Sequence, residues 1–239
     1  MISRIKILSF FIMLIKLVPG AGLERATARS SAECSPRLSY PGISAIQIVT
    51  NLSLSFQNIN GINKMIEDFF QKVLELKNVP RRGWKEKLEI INPESVADHS
   101  YSTTIMSMIL SDLEGLNTEK IIRMALLHDL AESVTGDIIP DDMTKHEKIN
   151  KENLAMKQIL KNLPSKVSKP YFEIWNEYQK KSTQEAILLH DIDKLEMAFQ
   201  AKFYQNEGIS KEKLQEFFNV AMENIKNKNL RNILSNFIE

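Results

Sequence analysis

From Met65 to the C-terminus, apolar residues recur at three- and four-residue intervals almost without a break, and no stretch alternates apolar with polar residues long enough to make a convincing strand. That pattern restricts the fold to helices packed on helices. Ile66, Phe69, Phe70, Val73 and Leu74 trace one face of a first helix, and Ile105, Met106, Ile109 and Leu113 mark a second over residues 99–113. Asn117 or Thr118 can cap a helix running to about Ala131. Pro164 and Pro170 punctuate the next stretch. Ser182 and Glu185 match a capping box, in which each side chain satisfies an orphan backbone N–H. The helix they open is long and apolar, through Ile187, Leu188, Ile192, Leu195 and Phe199 to about Tyr204, with Gly208 ending it. Leu214, Phe217, Phe218 and Ala221 continue the period. The expectation is a single all-α domain over residues 65–239.

Residues 1–60 read differently. They hold six basic residues against two acidic ones, the only cysteine (Cys34), and three of the eight glycines. Their apolar run, Ile7 to Ile15, is too short for a spanning helix, which needs about 20 apolar residues. A signal peptide is one reading, with a basic start, an apolar run and the small residues Gly20-Ala21-Gly22. A membrane-surface anchor is another. On a third, favoured reading the stretch is not natural protein. Leu17 to Gly42 resembles the peptide produced when a transfer-RNA gene is translated on its wrong strand. Natural protein would then start near Met65, leaving residues 1–60 as a disordered extension or a gene-boundary artefact.

Charge excludes one class of partner. Lys plus Arg total 31 and Asp plus Glu total 30, so no basic surplus points to nucleic acid. A lone cysteine forbids an intrachain disulfide and fits a reducing compartment, so the chain is expected to be cytoplasmic, off the membrane.

The chemistry concentrates in a few places. His128-Asp129 follows the apolar run Met124-Ala125-Leu126-Leu127, and burying an imidazole and a carboxylate there is costly unless each is paired or bound to metal. Glu132, one turn on, can take a proton from a metal-bound water. A helix-end pair satisfied by hydrogen bonds explains the dipeptide equally well on its own. Two further candidates shift the balance: His99, within Glu94-Ser95-Val96-Ala97-Asp98-His99-Ser100, and Asp193, on a separate apolar helix. His190-Asp191 is a second such dipeptide and competes with Asp193. His146 lies in the polar run Lys145–Lys148 and reads as a solvated surface histidine. Arg81-Arg82-Gly83-Trp84 is either a helix end packed on the core or an arginine fork for a phosphate beside an indole that senses a sugar.

Three segments, Pro93–Tyr101 (PESVADHSY), Leu126–Ile138 (LLHDLAESVTGDI) and Leu188–Ala201 (LLHDIDKLEMAFQA), resemble successive motifs of the HD-domain metal-dependent phosphohydrolases. Within them they are most similar to the 5′-deoxynucleotidase branch, which RRGW also matches in type and place. The resemblance spans about residues 65–230. It implies a multi-helix bundle around one divalent ion (Mn, Co, Zn, Fe or Mg) held by His99, His128, Asp129 and Asp193. It puts the acid/base glutamate at Glu132. Asp137, in the Thr135-Gly136-Asp137 turn, falls where the family has a substrate-side carboxylate, and Arg81 and Trp84 become substrate contacts. The register of Asp193-Lys194-Leu195-Glu196-Met197 favours Asp193 over Asp191. The bacterial branch has its arginine and tryptophan side by side, a departure that leaves open which arginine meets phosphate, with Arg81 preferred. The implied reaction converts deoxyribonucleoside 5′-monophosphates to deoxyribonucleosides and phosphate, in a homodimer. The alternatives are a phosphohydrolase for nucleoside triphosphates or signalling nucleotides, and a non-enzymatic nucleotide sensor.

Overall fold

The computed structural model of the protein describes residues 61–161 and 163–238. The sequence features assigned to residues 1–60, Cys34 and the Leu17–Gly42 string among them, lie outside the described residues. Residues 61–75 are helical (α1), so Met65 falls inside that helix rather than ahead of it. A single 3-10 turn, Leu76–Asn78, leads to α2 (Arg82–Leu88), α3 (Val96–Glu114), α4 (Thr118–Leu127), α5 (Glu132–Thr135), α6 (Lys145–Leu160), α7 (Ser165–Lys180), α8 (Gln184–Asn206), α9 (Lys211–Asn224) and α10 (Lys228–Ile238). Among the described residues the only β pairing is an isolated bridge between Pro80 and Ser95, and the all-α expectation holds. No helix among them is long and apolar enough to cross a membrane.

Local chemistry starts the helices that matter. Ser95 caps α3 by accepting from the Asp98 amide, and the Asp98 carboxylate accepts in return from the Ser95 amide at 2.9 Å. This box, which sequence spacing did not single out, fixes the first turn of the helix that carries His99. The start of α8 corrects the expected box at Ser182 and Glu185. Thr183 is the cap and accepts from the Ala186 amide, while the Glu185 carboxylate faces Asn117 and Lys120 at the head of α4. Once tertiary donors compete for a glutamate, sequence spacing alone no longer settles its partner.

Helix α8 runs through the middle of the bundle, touching α3, α4, α7, α9 and α10. Leu189, Ile192 and Leu195 on α8 meet Ile121 and Met124 of α4, Phe218 of α9 and Leu230 and Leu234 of α10 in one core. A second core joins α6 and α7 through Met156, Ile159 and Trp175. The α3 stripe turns out to face outward. Ile109 and Leu113 are 52% and 77% exposed, and Tyr101, Ile105 and Met108 are exposed beside them. The buried face of α3 is built mainly from Val96, His99, Ser100, Thr103, Thr104, Ser107 and Ser111, with Met106 and Leu110 half-buried against the core. Small hydroxyl side chains occupy little space, so α4 and α8 can approach α3 closely, as the convergence of their side chains on one point requires.

Helix α4 also ends earlier than its apolar period suggests, at Leu127 rather than near Ala131. Beyond it the amides of Leu130, Glu132, Ser133 and Val134 each bond to the carbonyl three residues back, so the chain tightens into a turn. That turn carries His128 and Asp129.

Candidate metal centre

Two helices and one turn deliver the candidate ligands. His99 comes from the first turn of α3, His128 and Asp129 from the turn after α4, and Asp193 from the middle of α8. His99, His128 and Asp193 bring ligand atoms within 4.8 Å of one another. The two Nε2 atoms are 3.4 Å apart, and His99 Nε2 lies 3.2 Å from Asp193 Oδ1. Asp129 stands to one side, its Oδ2 3.3 Å from His128 Nε2 and 3.6 Å from His99 Nε2. Nitrogen and oxygen ligands about 2.1 Å from a metal sit about 3 to 3.4 Å from each other; three of these four distances fall in that range and the fourth lies just beyond it. Each imidazole has its far nitrogen occupied. His128 Nδ1 is 2.6 Å from the Ala125 carbonyl oxygen, and His99 Nδ1 is 2.5 Å from Glu196 Oε2. Both Nε2 atoms are therefore left facing the shared point.

Charge and hydrogen bonding fit a cation there. Asp129 Oδ2 and Glu132 Oε2 are buried without a hydrogen-bond partner, a costly state for a carboxylate oxygen unless something else binds it. Burial pushes the Asp193 carboxyl up, but Lys194 and His99 outweigh it and hold the group well below the usual carboxylate range. Burial likewise opposes ionisation of Asp129, and His128, His99 and Arg81 overcome it. Glu132 goes the other way. Burial, then the neighbouring Asp129 and Asp137 carboxylates, push its pKa well above the ordinary value. Burial and Arg81 depress the His99 imidazole, yet Glu196 and Asp193 raise it to about 10. Two carboxylates are thus biased toward the ionised form and a third toward taking up a proton, a division that separates ligands from an acid/base group.

The cluster floors a cavity of about 820 Å³. Arg81 sits in its wall with Nη1 3.6 Å from Asp129 Oδ2. Arg82 turns away, gripping Asp142 at 2.5 Å and Glu86 at 2.6 Å. The sequence preferred Arg81 while leaving the choice open, and the bridge between Pro80 and Ser95 and the Arg81 amide bond to the Glu94 carbonyl at 3.0 Å accompany their opposite directions. Trp84 also lines the cavity but is 2% exposed. Its indole N–H donates to Glu94 at 2.8 Å, and its ring packs edge-on to Tyr204. Asp137 accepts from the Arg82 amide at 2.6 Å, so it braces the arginine turn as well as lining the cavity. Gly136, at φ +71°, adopts the left-handed backbone that lets this turn form.

Four neighbours were not singled out by the sequence. Lys148 of α6 stands 3.8 Å from Glu132, and Tyr178 of α7 presents its ring to His128. Glu94 and Glu196 lie behind His99, and burial, with Glu196 alongside, pushes Glu94 up to about 7. Glu94 and Glu196 fall inside or beside the motif segments, which was the available signal; Lys148 and Tyr178 had none.

The competing dipeptide separates cleanly. Asp191 faces away from the cluster and accepts from the Lys226 and Asn227 amides at 3.0 and 2.7 Å, seating the start of α10. His190 stacks on Tyr178, and burial lowers its pKa to about 4. His146 is exposed. Asp193→Ala is therefore expected to purify without metal, whereas Asp191→Ala keeps its metal and melts at a lower temperature. Elemental analysis decides, and full occupancy in Asp193→Ala would remove that residue from the ligand set.

Comparison with known proteins shows the family. The chain is 41% identical over 151 residues to the 5′-deoxynucleotidase HDDC2 of Mus musculus, covering 63% of this chain and 75% of that protein. It is 40% identical to the Homo sapiens protein of the same name, covering 63% and 73%. Among solved structures, the PH0347 protein from Pyrococcus horikoshii OT3 superposes with a TM-score of 0.60 at 34% identity, over 73% of this chain and 99% of that one. The HD domain family matches residues 73–233, and the chain belongs to that family.

Proposed function

We propose that the protein is a metal-dependent phosphomonoesterase that hydrolyses deoxyribonucleoside 5′-monophosphates. The observation that carries the reading is the meeting of ligand atoms from His99, His128 and Asp193 within 4.8 Å, with Asp129 beside them and the orphaned carboxylate oxygen of Glu132 and the Arg81 guanidinium on the same cavity. The relatives named 5′-deoxynucleotidase support the choice of substrate. His99, His128, Asp129 and Asp193 would hold the divalent ion, whose identity among Mn, Co, Zn, Fe and Mg their mixed nitrogen and oxygen donors leave open. When bound, such an ion supplies Lewis acidity and lowers the pKa of a coordinated water. Arg81 orients the phosphoryl group by charge-assisted hydrogen bonds. Glu132 accepts the proton of the attacking water and returns one to the departing sugar oxygen. Trp84, its N–H already engaged by Glu94, offers the sugar only its ring. It would discriminate a 2′-hydroxyl by shape, with Asp137 lining the same cavity.

A second reading, hydrolysis of a nucleoside triphosphate, draws on the lysines of the cavity wall, Lys87, Lys145, Lys148, Lys181 and Lys194. Three of them are engaged by carboxylates: Lys87 by Glu216, Lys148 by Glu132 and Glu152, and Lys194 by Asp193. That leaves less positive charge for a polyphosphate. Phosphate release should be measured on deoxy- and ribonucleoside 5′-monophosphates, 3′-monophosphates and triphosphates with several divalent metals. Deoxyribonucleoside 5′-monophosphates are expected to turn over fastest, and equal or faster triphosphate hydrolysis would move the assignment to the second reading. The homodimer that the family resemblance implies would use the exposed α3 stripe of Tyr101, Ile105, Met108, Ile109 and Leu113, which a second copy can cover about a two-fold axis.

A further inference from the structure

Helix α8 holds one imidazole from both sides. Asp193 Oδ1 lies 3.2 Å from His99 Nε2, and Glu196 Oε2 lies 2.5 Å from His99 Nδ1. Residues three apart on a helix share a face, so Asp193 and Glu196 project together and the ring of α3 is inserted between them. His99 and Glu196 are 0% and 2% exposed. No solvent competes for this bond, and a buried carboxylate in it is held by a charge-assisted hydrogen bond. A carboxylate only accepts. Nδ1 must carry the proton, and the Nε2 lone pair is left for a cation.

We propose that Glu196 is a positioning residue for the metal centre, fixing the tautomer and ring orientation of His99 and raising its basicity as a ligand. The inference rests on the metal reading given above. The other histidine supplies the contrast. His128 Nδ1 meets only the neutral Ala125 carbonyl, so His128 gains orientation from its backing but no charge. The site therefore has one histidine backed by an anion and one backed by a peptide group, and its affinity depends more on the first. Carboxylates placed behind metal-bound histidines act in this way, and their removal weakens metal binding about tenfold to a hundredfold. A histidine kept only for packing needs no ionised partner on Nδ1 with three further polar atoms gathered at Nε2, as Asp193, His128 and Asp129 are here.

The test is direct titration of metal-free protein with Co²⁺, by calorimetry and by the visible spectrum of the bound ion, for wild type, Glu196→Gln and Glu196→Ala. The glutamine oxygen can still accept from Nδ1 without the charge, so Glu196→Gln should bind about tenfold more weakly with a shifted Co²⁺ spectrum. Glu196→Ala should lose about a hundredfold. Melting of the metal-free proteins separates this from loss of fold, and the isosteric glutamine variant serves if the alanine variant does not fold. Wild-type affinity and spectrum in Glu196→Gln would overturn the positioning role while leaving the metal site intact. A wild-type protein that binds no Co²⁺, Mn²⁺ or Zn²⁺ would overturn the metal reading itself and this inference with it.

Discussion

Glu132→Gln is expected to keep its metal and lose phosphatase turnover by about a hundredfold or more, the usual scale for a positioned proton-transfer group. Glu132 is 2% exposed, its Oε2 has no hydrogen-bond partner, and burial together with Asp129 and Asp137 makes it an unusually good proton acceptor for a carboxylate. The amide keeps the volume and cannot exchange the proton. Metal content should stay at the wild-type level, because Glu132 stands outside the cluster formed by His99, His128 and Asp193. Phosphate release by the variant at the wild-type rate, with full metal content, would assign proton transfer to another group or to bulk water.

The two adjacent arginines should behave in opposite ways. Arg81→Ala is expected to lower kcat/KM for a deoxyribonucleoside 5′-monophosphate by about a hundredfold, as loss of a charge-assisted hydrogen bond of about 2 to 3 kcal/mol requires. Arg82→Ala should stay within a few-fold of wild type. Its side chain serves Glu86 and Asp142 and reaches the Asp137 carbonyl at 3.2 Å, but the shorter bond to the Asp137 carboxylate comes from its backbone amide, which alanine retains. Arg81 faces the ligand cluster as a positive charge, so its removal should not weaken metal binding. Steady-state kinetics on both variants, with metal content measured in parallel, decide the matter. Equal losses, or a larger loss in Arg82→Ala, would move the phosphate contact away from Arg81.

The helical fold was legible because its signal is periodic and local, and the order of the motifs placed His99, His128, Asp129 and Asp193 on three separate elements. Four things were hidden, each for its own reason. The outward turn of most of the α3 stripe was invisible because periodicity reports that a face exists and not which neighbour covers it; the core face of that helix is rich in hydroxyls that a hydrophobic pattern ignores. The end of α4 at Leu127 was masked because the apolar period continues through Leu130 and Ala131, which are buried but no longer in the same helix. Asp191 and Asp193 differ by two positions, about 200° around a helix. The motif register ranked them, and what Asp191 does became visible only once α10 was seated on it. The partners of His99 and Glu132 that come from distant elements, Glu196 and Lys148, depend on tertiary contact over 97 and 16 positions; Glu196 at least falls inside a motif segment, whereas Lys148 leaves no local trace.

The bond from His128 Nδ1 to the Ala125 carbonyl joins a ligand to the last turn of the helix that presents it. Helix ends are where backbone opening is easiest, and the turn after α4 is held by short-range bonds from Leu130 to Gly136. If Ala125 lets go, the imbalance is felt at once by the imidazole, which is then free to rotate off the shared point. Opening of this backbone and release of whatever His128 binds become one event, and by mass action occupancy holds the segment shut. Amide exchange with solvent along residues 128–136 is consequently a gauge of how full the site is, readable without any substrate.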